Sequence, residues 1–150
     1  MFLKEKSLDF ERTHNARTYL MLDADNISHN LLGYFSLSFK EIVIGPKVSR
    51  TKTQKMDGFN KHAERIRAYL IGQLAKNFAI PNNPLTINEI FNQIYPALLQ
   101  AHESVGGRVI LLECEDNLKL VNLYQASWFE VLQKQDLVQM YRIFDPIEVQ

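Results

Sequence analysis

A single cysteine, Cys114, in 150 residues excludes an intramolecular disulfide framework and every multi-cysteine metal pattern. A reducing compartment suits such a chain. No apolar run approaches the ~18 residues that a membrane-spanning helix needs. Phe2-Leu3 is followed at once by Lys4, Glu5 and Lys6 rather than by a signal-peptide core. A cytoplasmic protein with no membrane partner is therefore expected. Net charge is also missing: 17 basic and 17 acidic residues cancel, so the whole-chain field marks neither a generic nucleic-acid binder nor a membrane-surface binder. Low-complexity tracts and internal repeats are absent too.

What remains is an ordinary globular composition, 46% hydrophobic and 23% charged, which excludes a wholly disordered chain. This length suits one domain, residues 1–150, able to bury about 70% of its unfolded surface. Phe2–His14 holds good helix formers without proline or glycine and predicts a short helix. Thr18–Leu22 reads as a strand, Asp23–Asn30 as a turn, and Leu31–Ile44 as a second strand or two pieces broken near Lys40. These two strands are expected to form an antiparallel hairpin. Gly45-Pro46 ends the second, and the polar, weakly periodic Lys47–Asn60 reads as a long mobile loop.

Ile66–Leu74 predicts a third, centrally placed strand, and the two prolines and three asparagines of Asn77–Leu85 a loop. Thr86 and Glu89 have the spacing of a capping box, and Ile87, Ile90, Phe91, Ile94, Leu98 and Ala101 recur at helical intervals. A helix should start at Thr86, with a kink or a break at Pro96. Arg108–Cys114 predicts a strand, Leu118–Ser127 a helix, and Phe129–Leu132 with Leu137–Phe144 a terminal hairpin. The order implies an α/β domain: a mixed, mostly antiparallel central sheet flanked by helices, with a parallel pair joined by the Thr86 helix.

The run Gly107-Arg-Val-Ile-Leu-Leu-Glu-Cys-Glu-Asp-Asn117, then Lys119-Leu120 and Leu123-Tyr124-Gln-Ala-Ser-Trp-Phe129, resembles the GNAT N-acetyltransferase superfamily. Ala16-Arg-Thr-Tyr-Leu20 and Gly33-Tyr-Phe-Ser-Leu37 look like its second and third strands, and Tyr69–Ala75 like its fourth. The resemblance runs through most of the chain and implies a GNAT-like acyl-CoA N-acyltransferase fold that starts without the usual first strand. It implies an acetyl-CoA-dependent N-acetyltransferase of a primary amine, with main-chain contacts to the pantetheine arm at Leu74, Ala75 and Lys76. Asn117 would touch the same arm, and Tyr124 would bind beside the thioester sulfur and protonate the departing thiolate. A neutral phenol suits that role. On its own, a tyrosine here reads as a core residue with its hydroxyl turned to water; with the resemblance the two readings stand even.

The family's phosphate loop is rich in glycine, so that bare amides close on pyrophosphate ahead of a helix N-terminus. Here Ile80-Pro-Asn-Asn-Pro-Leu-Thr86 has no glycine, and the Thr86–Glu89 capping box competes for the helix amides. Asn82, Asn83, Leu85 and Thr86 are the cofactor candidates in this loop, the asparagines through side-chain amides or a left-handed turn. Trp128 stands where the family often has glycine. An alternative follows from the loop: a non-catalytic GNAT-like interaction module with impaired cofactor binding.

Glu113, at its strand end, is the candidate general base; more commonly such a carboxylate is solvated or paired with a lysine. His62 and His102 lack ligand spacing, so no metal site is expected. Cys114 reads as a small buried hydrophobe rather than an acyl-accepting nucleophile. Lys47, Arg50, Lys52 and Lys55 give the stretch to Arg67 a local positive excess. A solvated loop explains it, and so does a tRNA partner, because the 16–20 and 33–37 motifs look like the toxin branch that acetylates aminoacyl-tRNA. An antitoxin partner is expected only within that branch, and a homodimer is left open.

Overall fold

The computed structural model describes residues 2–25 and 27–144. Two short helices, α1 (Phe2–Glu5) and α2 (Ser7–Arg12), occupy the stretch expected to be one. The strand β1 (Arg17–Leu22) pairs antiparallel with the long β2 (Leu31–Val43), which runs unbroken through Lys40. After β3 (Arg65–Lys76) comes α4 (Ile87–Val105), then β4 (Val109–Cys114), α5 (Leu118–Gln125), β5 (Glu130–Lys134) and β6 (Val138–Ile143). The six strands form one sheet in the order β1-β2-β3-β4-β6-β5. The β4–β6 and β5–β6 pairs are antiparallel, so the expected terminal hairpin forms. The expected mixed, mostly antiparallel sheet with helices is therefore present.

One expectation fails. Lys47–Asn60 is not a long mobile loop, because α3 (Arg50–Asp57) lies within it. Ser49, in an extended conformation, accepts from the Lys52 amide at 3.2 Å, and Gly58 (φ 90°) closes the helix with its amide on the Gln54 carbonyl at 2.7 Å. Thr53 and Met56, three apart, are buried together on one face. A Cβ on Gly58 would stand 2.8 Å from an Arg108 guanidinium nitrogen, a second reason for glycine there. At Pro96, where a kink or a break was expected, α4 is not divided.

The chain packs as two compact units, one holding the described residues up to Ser38 with Ile71–Tyr95, the other Phe39–Leu70 with the described residues from Pro96. The division falls inside β2, β3 and α4 rather than at a linker. In the first unit Phe35, Leu85, Ile90, Phe91 and Ile94 are buried, and Tyr19 stacks on Phe35 with ring centroids 4.8 Å apart. In the second, Ile42, Met56, Ile66, Ala68, Val109, Leu111, Leu132 and Tyr141 form one apolar cluster. β4 is buried at five of its six positions, as a central strand covered on both faces must be. No helix among the described residues is long and apolar enough to cross a membrane.

Candidate functional site

α5 follows the central strand β4 and ends the segment on which the site was expected. Asn117 is its N-cap: its backbone is extended (φ −128°, ψ 118°), and its side-chain oxygen accepts from the Lys119 amide at 2.9 Å. Asn117 and Tyr124 are thus not two residues of one helix face, because the asparagine lies outside the helix with its acceptor in use. Tyr124 sits in the last turn and is the buried residue of α5. Burial, and then the neighbouring Cys114, pushes its phenol above the ordinary tyrosine range, so it stays protonated at neutral pH. Its hydroxyl has no hydrogen-bond partner among the described residues. Cys114 is itself buried, with its thiol raised by desolvation and then by Asp116, which fits a small hydrophobe and not a nucleophile.

Beyond α5 the chain reverses tightly, the amides of Ser127 and Phe129 both reaching the Tyr124 carbonyl at 3.0 and 3.1 Å. Trp128 takes the left-handed conformation there (φ 71°) and leaves its ring 78% exposed. The backbone at this position is one that glycine adopts without strain.

Glu113 does not stand as a free base. One carboxylate oxygen is 2.5 Å from Lys40 Nζ, and the other accepts from Gln139 Nε2 at 3.0 Å. Gln139, 2% exposed, accepts from Gln133, which also donates to the Val43 carbonyl and accepts from the Gly45 amide. A carboxylate held by a cation and closing such a network is a structural link between β2, β4 and β6. Neither Lys40 nor Gln139 was visible as its partner in sequence, since they lie 73 and 26 residues away.

The cofactor candidates Leu74, Ala75 and Lys76 end β3 and are half-buried. A Cβ on Gly33 would stand 2.7 Å from the Ala75 carbonyl oxygen and 2.6 Å from a Leu85 methyl, so glycine lets β2 approach both. The following loop satisfies itself. Asn77 donates through its amide to the Leu32 carbonyl and through its side chain to the Leu31 carbonyl, both at 2.8 Å. Buried Asn83 donates to the carbonyls of Leu32 and Asn77 and accepts from the Leu85 amide at 3.0 Å. That contradicts Asn83 as a ligand donor, because both its amide protons and its oxygen hold the loop. Leu85 is a core residue with its amide already bonded. Asn82 is exposed and left-handed (φ 52°), the conformation expected of it.

The capping box forms as the sequence implied: the Thr86 amide donates to Glu89 Oε2 at 2.6 Å, and the Glu89 amide to Thr86 Oγ1 at 3.2 Å. The Thr86 backbone and hydroxyl hydrogen bonds hold the Glu89 carboxyl below the usual range, so it is ionised at neutral pH. An incoming phosphate therefore meets a carboxylate, with the Leu85, Thr86 and Glu89 amides already in use.

Of the cations expected to face tRNA, Lys47, Arg50 and Lys55 are exposed and have no ion-pair partner among the described residues. Lys52 differs. Its ammonium bonds the Val131 carbonyl at 3.2 Å, lies 3.9 Å from Glu130 and sits 5.5 Å over the Tyr141 ring. It ties α3 to β5 and β6 and is not a free phosphate contact. His62 is exposed, and His102 Nδ1 lies 2.6 Å from the Gly107 carbonyl. No group of three His, Cys, Asp or Glu that could hold a metal occurs among the described residues.

No family model and no curated protein sequence matches the chain. Solved structures do match it in fold. AtaT complexed with acetyl-methionyl-tRNAfMet is 19% identical, with a TM-score of 0.74, over 99% of this chain and 82% of that one. A tyrosine-to-phenylalanine mutant of KacT is 19% identical, with a TM-score of 0.75, over 98% and 82%. AtaTR bound with acetyl-CoA is 18% identical, with a TM-score of 0.72, over 99% and 81%. These neighbours have the GNAT fold, and the likeness shows that this chain has it too.

Proposed function

From a GNAT fold with a protonated, unpartnered phenol at the end of α5, we propose an acetyl-CoA-dependent N-acetyltransferase that acts on a primary amine. The acceptor class is the aminoacyl end of a charged tRNA, supported by the AtaT complex with acetyl-methionyl-tRNA and by the exposed cations of α3. If so, an antitoxin is a second partner, as AtaR is for AtaT. The observation that carries the reading is Tyr124 itself, buried, neutral and with its hydroxyl uncommitted.

The chain's residues fit the two ends of acetyl-CoA unequally. Its thioester end, which supplies an activated acetyl group when bound, suits the Tyr124 phenol, and the main chain of Leu74, Ala75 and Lys76 is the proposed hold for the pantetheine arm. At the pyrophosphate end the Leu85, Thr86 and Glu89 amides are already bonded. Bound acetyl-CoA would supply the acetyl carbon to the acceptor nitrogen with loss of the carbon–sulfur bond, and the Tyr124 hydroxyl would give its proton to the leaving sulfur. The amine loses its extra proton to water, and solvent restores the phenol. Glu113 takes no part, being engaged with Lys40 and Gln139.

A second reading, a GNAT-like module without catalysis, is favoured by those occupied loop amides. One experiment separates the two. Millimolar acetyl-CoA should raise the thermal midpoint of the native chain, and Tyr124→Phe should lower turnover on charged tRNA by roughly 100-fold or more while keeping that shift. No shift with the native chain would leave only the second reading. Equal loss of binding and turnover in Tyr124→Phe would remove the acid role.

A further inference from the structure

Within the second unit, the start of β3, the Lys40 region of β2 and the turn after α4 border an open cavity of about 630 Å³. That lies within the ~300–1,000 Å³ of small-molecule sites. Its walls are mainly apolar: Phe39, Ala68, Tyr69, Val105 and Val109 line it, with the open backbone of Gly106 and Gly107 between them. Both glycines are left-handed (φ 78° and 105°). A Cβ at Gly107 would stand 2.7 Å from the Tyr69 ring, so the turn must be bare to pass over it. Tyr69 is tied to the same turn by its hydroxyl, which donates to the Gly106 carbonyl. Beside it lies Phe39, ring centroids 5.4 Å apart and tilted by 37°. Phe39 is 72% exposed, so most of that ring faces solvent with nothing packed on it.

Charge at the rim is uneven. Lys40 is paired with Glu113, and Glu41 with Arg65 at 2.7 Å. That leaves Arg67, which has no partner among the described residues, as the uncompensated charge lining the cavity. An exposed aromatic face beside a free guanidinium is the pairing that receives a planar base and its phosphate.

We propose that this cavity is a nucleotide-binding site in which Phe39 stacks on the base and Arg67 takes the phosphate. The nucleotide is either a free mononucleotide or an unpaired residue of an RNA, and both carry the same base-plus-phosphate chemistry. The site does not rest on acetyl transfer.

Its test is chemical-shift mapping of the full chain titrated with adenosine 5′-monophosphate, with a hexa-adenylate RNA and with inorganic phosphate. Both nucleotide probes should move the resonances of Phe39, Arg67, Tyr69 and Gly106, and phosphate alone should leave Tyr69 and Gly106 in place. Phe39→Leu, which keeps an apolar side chain at an exposed position, should weaken nucleotide binding about fivefold or more. Arg67→Gln should weaken nucleotide binding and make it less sensitive to salt. Tighter binding of the hexamer than of the mononucleotide, with a steeper salt slope, identifies RNA as the source; equal affinity identifies the free nucleotide. No movement at these residues with millimolar nucleotide overturns the proposal, as does unchanged affinity in Phe39→Leu or the same shifts with phosphate alone. The acetyl-CoA thermal shift of the same samples reports on the acetyltransferase reading separately, so either can fail while the other stands.

Discussion

Trp128 carries a non-glycine side chain in the left-handed region, at a turn pinned by the Tyr124 carbonyl. Its ring is mostly in solvent, so little packing offsets that strain. Trp128→Gly should therefore raise the unfolding free energy by about 1 kcal/mol, read as a higher denaturation midpoint at unchanged slope; a lower midpoint would mean that the indole holds the turn. Glu89 carries a charge that opposes the proposed ligand. Glu89→Gln keeps an acceptor for the Thr86 amide and removes the charge, so acetyl-CoA binding should tighten roughly twofold to fivefold if its phosphates approach this loop. Unchanged affinity in calorimetry would put the phosphates elsewhere. At this scale the sequence showed Tyr124 and the capping box plainly, because each is local. It hid the Lys40–Glu113 pair and the role of Asn83, because partners 73 and 51 residues away are set by the sheet and not by neighbours along the chain.

At the scale of elements, every strand expected from the sequence is present, since alternation, β-branched runs and Gly-Pro stops are strong local signals. α3 escaped because its sequence, Arg-Thr-Lys-Thr-Gln-Lys-Met-Asp, has one apolar residue and no apolar stripe. Its real signals are the brackets, Ser49 before it and Gly58 after it, together with a Thr53 that the fold buries despite its hydroxyl, bonded to the Ser49 carbonyl at 3.0 Å. Such a helix leans on its caps. Ser49→Ala should cost about 1 kcal/mol, and amide exchange in α3 should quicken more than in β4. Exchange unchanged in α3 would show that Met56 and Lys52 alone anchor it. In α4, Pro96 lies mid-helix and yet the helix continues, its buried Ile90, Phe91, Ile94 and Leu98 outweighing one lost amide.

For the whole molecule, zero net charge argued against a nucleic-acid partner, yet an average conceals where charge is spent. Arg17, Lys40, Lys52, Arg65 and Lys134 are all held in ion pairs, whereas Lys47, Arg50 and Lys55, in and just before α3, have none among the described residues. Free cations gathered on one short stretch create a local field that the distant carboxylates screen poorly within a Debye length of about 8 Å. The double change Arg50→Glu and Lys55→Glu should then weaken association with tRNA and flatten its dependence on salt by roughly one to two phosphate contacts. Lys52→Glu belongs to a different class: it breaks a link to Val131 and a contact with the Tyr141 ring, so a lower thermal midpoint is expected along with any loss of RNA. Filter binding across a salt series, with midpoints measured on the same variants, tells the two apart. If the Arg50/Lys55 variant keeps both native affinity and native slope, α3 is solvated surface, and the tRNA must be held by other cations of the fold.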